Sequence, residues 1–230
     1  MTVDDNYAPQ AIEIETVVAG WKQQGAFVLE KSQARYAGWL HHAKNLDLLP
    51  IEQLLPRIVC PSPSDLPAFM AHTHTPATDN LRAEVAALEP WGFWFRLASD
   101  LNTKKLDILG RNRIICRSHL ITATVERLLG KRLSQATVLD MACHSGFFTF
   151  DIASRGVQSV TGVELRENNV DQARFLQKHY GIDNVDFEQG DVMTWQPPRQ
   201  FSVVLNLGLL YHVIDPITLV RRTYDWCTDF

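Results

Sequence analysis

The chain has 230 residues, of which 46% are hydrophobic and 21% are charged, and its formal net charge is -4. This composition is typical of a soluble globular protein with one large domain or two domains. The small negative net charge does not favour general nucleic-acid binding, which usually requires a basic domain or a basic face.

The N-terminus and the cysteines indicate where such a chain would reside. The first ten residues, MTVDDNYAPQ, lack the basic and apolar regions of a signal peptide. No stretch of the sequence approaches the ~20 apolar residues of a membrane span. The cysteines form no C-x-x-C pair, which argues against a disulfide framework or a zinc ribbon; they are Cys60, Cys116, Cys143 and Cys227. We therefore expect a cytoplasmic protein with reduced thiols and no membrane partner.

The first 110 residues are predicted to form a mainly helical N-terminal region. Residues 11–49 place apolar side chains three and four positions apart, as one face of a helix requires. Residues 50–80 are rich in proline, serine and threonine, and we predict loops with short turns there. The aromatic segment PWGFWFRLASDL, residues 90–101, is predicted to be a strand or a packed lid.

Residues 111–230 have the regular pattern of an α/β domain. A predicted helix over residues 111–129 ends just before Gly130. Predicted strands and helices then alternate through ATVLDMA, GFFTFDIASR, SVTGVEL, NNVDQARFLQKHY, NVDFEQGD and FSVVLNLGLL. A last helix is predicted to begin with Asp215 as N-cap and Pro216 in its first position. This order predicts a Rossmann-like, doubly wound parallel sheet with helices on both faces.

The segment VLDMACHSGFF, residues 138–148, has the layout of a nucleotide-binding first turn. An apolar strand ends in Asp140, small residues follow, and a helix begins. A pyrophosphate-binding turn would carry three glycines, but Ala142 and His144 occupy two of those positions and only Gly146 remains. Asp140 would also repel a pyrophosphate. A nicotinamide-dependent dehydrogenase, which shares the fold, is therefore disfavoured.

Three acids fall at the ends of successive predicted strands: Asp140, Glu164 and Asp191. Ligands of parallel sheets bind at the carboxyl ends of the strands. A ligand with an ammonium group and a ribose would suit these acids, since a carboxylate can accept two hydrogen bonds from ribose hydroxyls. Two simpler roles stay open: Asp140 as a brace of the turn, and Asp191 as part of a plain Gly-Asp turn.

Together, VLDMACHSG, GVEL, GD and FSVVLNLGLLYHV resemble the class I S-adenosylmethionine-dependent methyltransferases over residues 136 to about 225. The resemblance implies that the cofactor is S-adenosyl-L-methionine. The family usually has glycine at positions 142 and 144, and histidine is among the residues enriched at positive φ.

The resemblance assigns roles to named residues. It implies that Asp140 and the loop hold the methionine end, that Glu164 takes the ribose, and that Asp191 and Val192 flank the adenine. The residues expected at the cofactor are Asp140, Ala142, Cys143, His144, Ser145, Gly146, Glu164, Asp191, Val192, Leu207 and Tyr211.

Tyr211 and His212 are the candidate catalytic residues, at the point where the fourth strand of the domain meets its loop. Tyr211 could place its ring near the positive sulfonium. His212 could accept a proton from the acceptor, because its ordinary pKa is near neutrality. Simple packing at the strand end stays open for both. The Leu-Tyr-His segment resembles the tRNA wobble-uridine carboxymethyltransferase-like branch of the family, in which the matching tyrosine lies at the cofactor.

The expected function is therefore methyl transfer from S-adenosylmethionine to an unidentified small-molecule or tRNA acceptor. The alternatives are tRNA wobble-uridine carboxymethyl transfer and a non-catalytic, methyltransferase-like binding subunit. The N-terminal region is expected to cover the cofactor and shape the acceptor pocket with Trp21, Trp39, Trp91 and Trp94. The sequence leaves open whether the protein forms a homo-oligomer.

We expect no metal in this protein. A zinc site is conceivable near Cys60, His72 and His74, with His41 and His42 upstream, but the spacing fits no standard ligand pattern.

The predicted sheet would be incomplete at the C-terminus, because by resemblance the family sheet has seven strands and only four are predicted here. The last strand, FSVVLNLGLL, is strongly apolar, as befits a strand paired on both sides. At an edge it would expose unpaired backbone groups. We predict that the natural protein continues beyond residue 230. The alternatives are that the aromatic segment PWGFWFRL or a second subunit covers this edge.

Overall fold

The computed structural model describes residues 66–71, 73–106 and 108–230. These residues lie in the second of two compact units, Leu54–Phe230. The helices predicted over residues 11–49 and most of the loop predicted over residues 50–80 lie outside the described residues. The boundary predicted at residue 110 stays a prediction.

The described residues contain five α-helices and six strands. The helices are α1 (Asp79–Ala87), α2 (Ile108–Leu129), α3 (Phe147–Ala153), α4 (Glu167–Tyr180) and α5 (Pro216–Asp225). The strands are β1 (Arg96–Ala98), β2 (Leu101–Asn102), β3 (Thr137–Met141), β4 (Ser159–Glu164), β5 (Val185–Gln189) and β6 (Val203–Asn206). Three short 3₁₀ turns lie at Ala68–Met70, Gly130–Gln135 and Leu210–His212. None of these helices is long and apolar enough to cross a membrane.

Four of the strands form a parallel sheet in the order β5-β4-β3-β6, and the predicted Rossmann-like fold is confirmed. The chain adds β4 and β5 on one side of β3 and then returns to place β6 on the other. Strand order therefore reverses beside β3, where Asp140 pairs with Gly162 of β4 and Leu205 of β6. Ligands of such sheets bind at this reversal.

The two faces of the sheet bury separate hydrophobic clusters, because successive side chains of a strand point to opposite faces. Val138 belongs to one cluster with Phe147 and Phe150 of α3. The same cluster includes Phe69 and Trp91 from the segment that precedes the sheet. The second cluster contains Leu139, Met141, Leu219 and Trp226, among others. Part of the N-terminal region thus shares a core with the parallel sheet.

Helix α4 holds the aromatic segment in place by hydrogen bonds to its main chain. The contacts join Gln172 to the carbonyls of Leu88 and Pro90 at 2.7 and 3.0 Å, His179 to Leu97 at 2.9 Å, and Tyr180 to Arg96 at 3.0 Å. Within the aromatic segment, Arg96–Ala98 forms β1 and Leu101 begins β2. The rest packs without regular structure, with Trp91, Trp94 and Phe95 buried.

Helix α1 is an element that sequence reasoning missed, since proline, serine and threonine dominated the interpretation of this region. Thr78 caps the helix, and its side chain accepts a hydrogen bond from the Leu81 N–H at 3.2 Å. The threonine, followed by Asp79, was the local signal for a helix start.

The exposed edge of β6 is covered by the residues that follow α5. The Phe201 N–H donates to the Trp226 carbonyl at 2.8 Å, and the Thr228 N–H donates to the Phe201 carbonyl at 2.8 Å. Phe230 exchanges hydrogen bonds with Ser202 and Val204. The prediction that this edge stays open unless the chain continues, or the aromatic segment or a second subunit covers it, is therefore wrong for the first part of the edge, where residues 226–230 pair with residues 201–204. Continuation of the natural protein stays a prediction.

Candidate active site

The loop after β3 has the backbone of a three-glycine turn although it contains one glycine. Ala142 has φ 56°, His144 has φ 54° and Gly146 has φ 84°, so all three are left-handed. Such a conformation costs a non-glycine residue roughly 1–2 kcal/mol. The positive φ that the sequence suggested for His144 is present.

Replacement of Ala142 by glycine is expected to raise the free energy of unfolding by roughly 0.5–1 kcal/mol, because relief of the left-handed strain exceeds the added entropy of the unfolded chain. Chemical denaturation measures the change. The control is Ala83→Gly on the exposed face of α1, which should lose about 1 kcal/mol. A loss of stability in Ala142→Gly as large as in the control would contradict a strained loop.

Asp140 is the second-last residue of β3 and is buried, with 2% of its surface exposed. Its Oδ2 accepts a hydrogen bond from the Thr149 hydroxyl at 2.6 Å. Burial, together with the negative charge of Glu164, raises the pKa of Asp140 to about 7, and the hydrogen bond from Thr149 opposes this rise. Asp140 is therefore a carboxyl group that a nearby positive charge would convert to its ionised form.

Glu164 ends β4 and connects three parts of the site. Its Oε2 accepts the main-chain N–H of His144 at 3.0 Å. Its Oε1 accepts the Arg166 N–H at 3.0 Å and the Asn169 side-chain amide at 3.2 Å. The carboxylate, with 7% of the residue exposed, therefore ties the loop after β3 to the start of α4.

Two glycines make room for the aromatic ring that supports the loop. A Cβ on Gly162 would lie 2.8 Å from the Cys143 Sγ and 2.8 Å from the Phe187 ring. A Cβ on Gly146 would also lie 2.8 Å from the ring of Phe187. Burial raises the pKa of the Cys143 thiol well above its ordinary value, so the thiol stays protonated and packs as an apolar group. Sequence reasoning missed Gly162 and Phe187.

The His144 ring lies between the loop and the aromatic segment. Its Nδ1 accepts the Ser145 N–H at 2.8 Å, and its ring centroid lies 5.0 Å from that of Phe93 in an edge-on arrangement. Burial lowers the pKa of His144. The neutral ring with its proton on Nε2 satisfies this geometry, because Nδ1 must stay an acceptor.

Asp191 and Val192 follow β5 in a turn. The exposed Asp191 accepts the Met193 N–H on Oδ1 at 2.8 Å, which is the hydrogen bond of an Asx turn. Val192 is buried in the second hydrophobic cluster. The structure thus provides a local reason for Asp191 at this position, and its contact with adenine stays a prediction.

Leu207, Tyr211 and His212 lie beyond the end of β6. Tyr211 is 78% exposed, and its ring centroid lies 4.2 Å from that of His212. The Tyr211 hydroxyl lies close to Gly208, 3.3 Å from the position that a Cβ would take. The hydrogen bonds and ring contacts of the described residues connect neither side chain to Asp140 or Glu164.

Within the described ranges, no group of three or more His, Cys, Asp or Glu side chains could hold a metal ion. Several residues singled out from the sequence lie outside those ranges: Trp21, Trp39, His41, His42, Cys60 and His72.

A protein-family model matches the part of the chain that contains this site. The model of a family described as "Methyltransferase domain" matches residues 138–228, from β3 to the residues after α5. Residues 138–228 are thus similar to a methyltransferase domain, as the resemblance to the class I S-adenosylmethionine-dependent methyltransferases implied. This confirms the coarser part of the resemblance.

Curated proteins share part of the sequence of this chain. The ubiquinone biosynthesis O-methyltransferase of Pseudomonas paraeruginosa is 38% identical over 94 residues, which are 40% of this chain and 40% of that protein. The enzyme of the same name from Neisseria meningitidis is 26% identical over 129 residues, 55% of this chain and 47% of that protein. The chain thus spans about half or less of the length of these relatives.

Solved structures share the fold. The N-terminal domain of EvdMO1, crystallised in the presence of SAH and D-fucose, has 25% identity and a TM-score of 0.54, covering 65% of this chain and 62% of that one. The same domain with SAH bound has 24% identity and a TM-score of 0.55, covering 66% and 63%. The methyltransferase fold therefore extends over roughly two thirds of this chain.

Proposed function

We propose that this protein is an S-adenosylmethionine-dependent methyltransferase whose cofactor binds at the carboxyl ends of β3 and β4. The observation that carries the proposal is the Glu164 carboxylate at the end of β4, hydrogen-bonded at 3.0 Å to a loop with glycine-like backbone geometry. In a parallel sheet, an acid at this position suits ribose hydroxyls.

The residues present fit this cofactor better than a dinucleotide. An ionised carboxylate has about four lone-pair sites, and Glu164 uses three of them within the protein. A site therefore stays available for a ribose hydroxyl. Asp140 and Glu164 together make the loop unfavourable for a pyrophosphate and favourable for a positively charged ligand.

The remaining cofactor contacts are proposed along the same edge of the sheet. The methionine end would lie against Asp140 and the loop of Ala142, Cys143, His144, Ser145 and Gly146. Asp191 and Val192 would flank the adenine, and Leu207 and Tyr211 would close the site from the β6 side.

S-adenosylmethionine supplies a methyl group on a positively charged sulfur for transfer to a nucleophilic atom of the acceptor. The protein would contribute mainly by holding donor and acceptor in line. Tyr211 would place its ring beside the positive charge, and His212 would accept a proton from the acceptor where one must be lost. Both residues are exposed in the 3₁₀ turn Leu210–His212 that follows β6, where an acceptor can reach them. Trp91 and Trp94 would support the acceptor side, within an N-terminal region of residues 1–110.

An oxygen acceptor is the finer part of the proposal. It is supported by relatives named as O-methyltransferases, with up to 38% identity over 94 residues. Those relatives do not support the tRNA wobble-uridine branch, and the net charge of -4 does not favour a tRNA partner.

Calorimetry and a methyl-transfer assay test the proposal. We expect the purified chain to bind S-adenosylmethionine and its demethylated product but not NADH. With methyl-labelled cofactor, label should pass to members of a panel of phenols and deoxysugars and not to bulk tRNA. Binding of NADH alone would contradict the proposal. Binding of S-adenosylmethionine without transfer to any acceptor would favour the alternative of a non-catalytic binding subunit. Transfer of label to tRNA would favour the alternative of a tRNA acceptor.

A further inference from the structure

We infer that His144 is a positioning residue that couples the docking of residues 91–93 to the Glu164 carboxylate, and thereby to cofactor affinity. This inference rests on the proposed function. The position is one where the family usually has glycine, so the ring is an addition to the loop.

One side of the contact is the close fit between the His144 ring and Gly92. A Cβ on Gly92 would lie 2.4 Å from Cε1 and 2.5 Å from Nε2 of the ring. Phe93 packs on the same ring with its centroid 5.0 Å away. The Gly92 carbonyl accepts a hydrogen bond from Lys104 at 3.4 Å. The aromatic segment therefore leaves no space for the ring to shift toward it.

The other side of the contact is the main chain of His144 itself. Its N–H donates to Glu164 Oε2 at 3.0 Å, and its Nδ1 accepts the N–H of Ser145 at 2.8 Å. The ring is thus hydrogen-bonded to the main chain on the C-terminal side of its own Cα, and the N–H on the other side of that Cα binds Glu164. A displaced ring that keeps its hydrogen bond to Ser145 rotates the main chain of the loop, which moves the N–H that Glu164 accepts.

This coupling differs from ordinary loop packing because the two residues in contact are far apart in the sequence. Gly92 belongs to the segment anchored on α4 through Gln172, whereas His144 belongs to the loop after β3. The His144 ring therefore links the anchored segment directly to the loop whose N–H binds the proposed ribose carboxylate. Residues that only fill space would affect stability without affecting affinity for the cofactor.

A double-mutant cycle tests the coupling directly. Gly92→Ala should lower the affinity for S-adenosylmethionine about tenfold, because the new Cβ displaces the ring. His144→Gly keeps the left-handed φ, loses the ring contact, and should lower affinity by about three- to tenfold. With no ring to displace, Gly92→Ala should have no further effect in the His144→Gly background. Calorimetric dissociation constants for the four proteins give the coupling.

Two further variants keep the inference open to contradiction. His144→Asn, which also tolerates a left-handed φ, replaces His144→Gly if that variant does not fold. Val125→Ala, at a buried position of α2, is a control that should lower the melting temperature and leave the dissociation constant unchanged. If the wild type does not bind S-adenosylmethionine, the proposed function fails. If it binds and Gly92→Ala has equal effects on affinity in both backgrounds, only the coupling is wrong.

Discussion

Replacement of Glu164 by alanine is expected to weaken binding of S-adenosylmethionine by about 1–3 kcal/mol, or roughly 5- to 150-fold. Two losses contribute. The proposed hydrogen bond to the ribose disappears, and the His144 N–H loses its acceptor at 3.0 Å, which frees the loop. A buried donor without a partner also destabilises the fold, so the melting temperature should fall as well.

Glu164→Gln separates the charge of the side chain from its size. The amide keeps one acceptor oxygen and replaces the other with an NH₂ group. That NH₂ group must face either the His144 N–H or the donors of Arg166 and Asn169, and it cannot accept a hydrogen bond from either. We expect at least half of the affinity loss of the alanine variant, with a smaller change in melting temperature. This measurement uses the same calorimetric titration at one pH.

Asn169→Ala is the matched control for the structural part of that loss. It removes one donor from Oε1, at 3.2 Å, and leaves the carboxylate and its contact with the loop intact. Its affinity should stay within about twofold of the wild type, since Glu164 keeps its hydrogen bonds to the His144 and Arg166 N–H groups. An affinity unchanged in Glu164→Ala, or reduced equally in Asn169→Ala, would exclude a direct role for Glu164 on the ribose.

The parallel sheet and the acids at its strand ends were predictable because local chemistry determines them. Apolar runs bounded by turn residues predict the buried strands, and strand ends place Asp140 and Glu164 at one edge of the sheet. The start of α5 is similarly local: Asp215 accepts the Thr218 N–H at 3.0 Å, and Pro216 occupies the first turn. Each of these features needs information from only a few neighbouring residues.

The contacts that shape the site were not predictable because they join distant segments. The fit of Gly92 against the His144 ring depends on how α4 anchors the aromatic segment, which no periodicity encodes. Gly162 offered a signal that was not used, since a glycine inside a strand often marks the close approach of another group. In the structure that group is the ring of Phe187, together with the thiol of Cys143.

The contacts at the edge of β6 were not predictable for the same reason. The sequence after α5 contains no strand pattern, yet Phe230 hydrogen-bonds to Val204 of β6 and Thr228 to Phe201 just before that strand. Their pairing depends on the direction in which α5 returns the chain to the sheet. Such a direction is a property of packing between α5 and the second hydrophobic cluster, which includes Leu219 and Trp226.

Replacement of Asp140 by asparagine is expected to stabilise the free protein at pH 8 and to weaken its cofactor binding. Burial raises the pKa of Asp140 from 3.8 to about 7. Between these values the folded protein keeps a proton that the unfolded chain has lost, so wild-type stability must fall as the pH rises through this window. The difference corresponds to up to about 4 kcal/mol, all of it lost by pH 8. A neutral asparagine has no such loss and can still accept the hydrogen bond of Thr149.

Cofactor affinity should change in the opposite direction. An ionised Asp140 attracts the positively charged S-adenosylmethionine, whereas a protonated Asp140 does not. Wild-type affinity should therefore rise about tenfold between pH 6 and pH 8, since ligand binding must release the proton below the pKa. Affinity of Asp140→Asn should be weaker at pH 8 and lose this pH dependence. Titrations at several pH values measure both.

Thr149→Val distinguishes this account from a purely structural role of Asp140. The Thr149 hydroxyl, at 2.6 Å, lowers the pKa of the carboxyl group, so its loss should raise that pKa further. The pH midpoint for cofactor affinity should then move above that of the wild type, while valine keeps the volume of threonine. Denaturation of each variant across pH 4–8 gives the stability profile. If Asp140→Asn instead unfolds at lower denaturant at every pH, and its remaining folded fraction binds the cofactor normally, Asp140 is a structural brace of the turn.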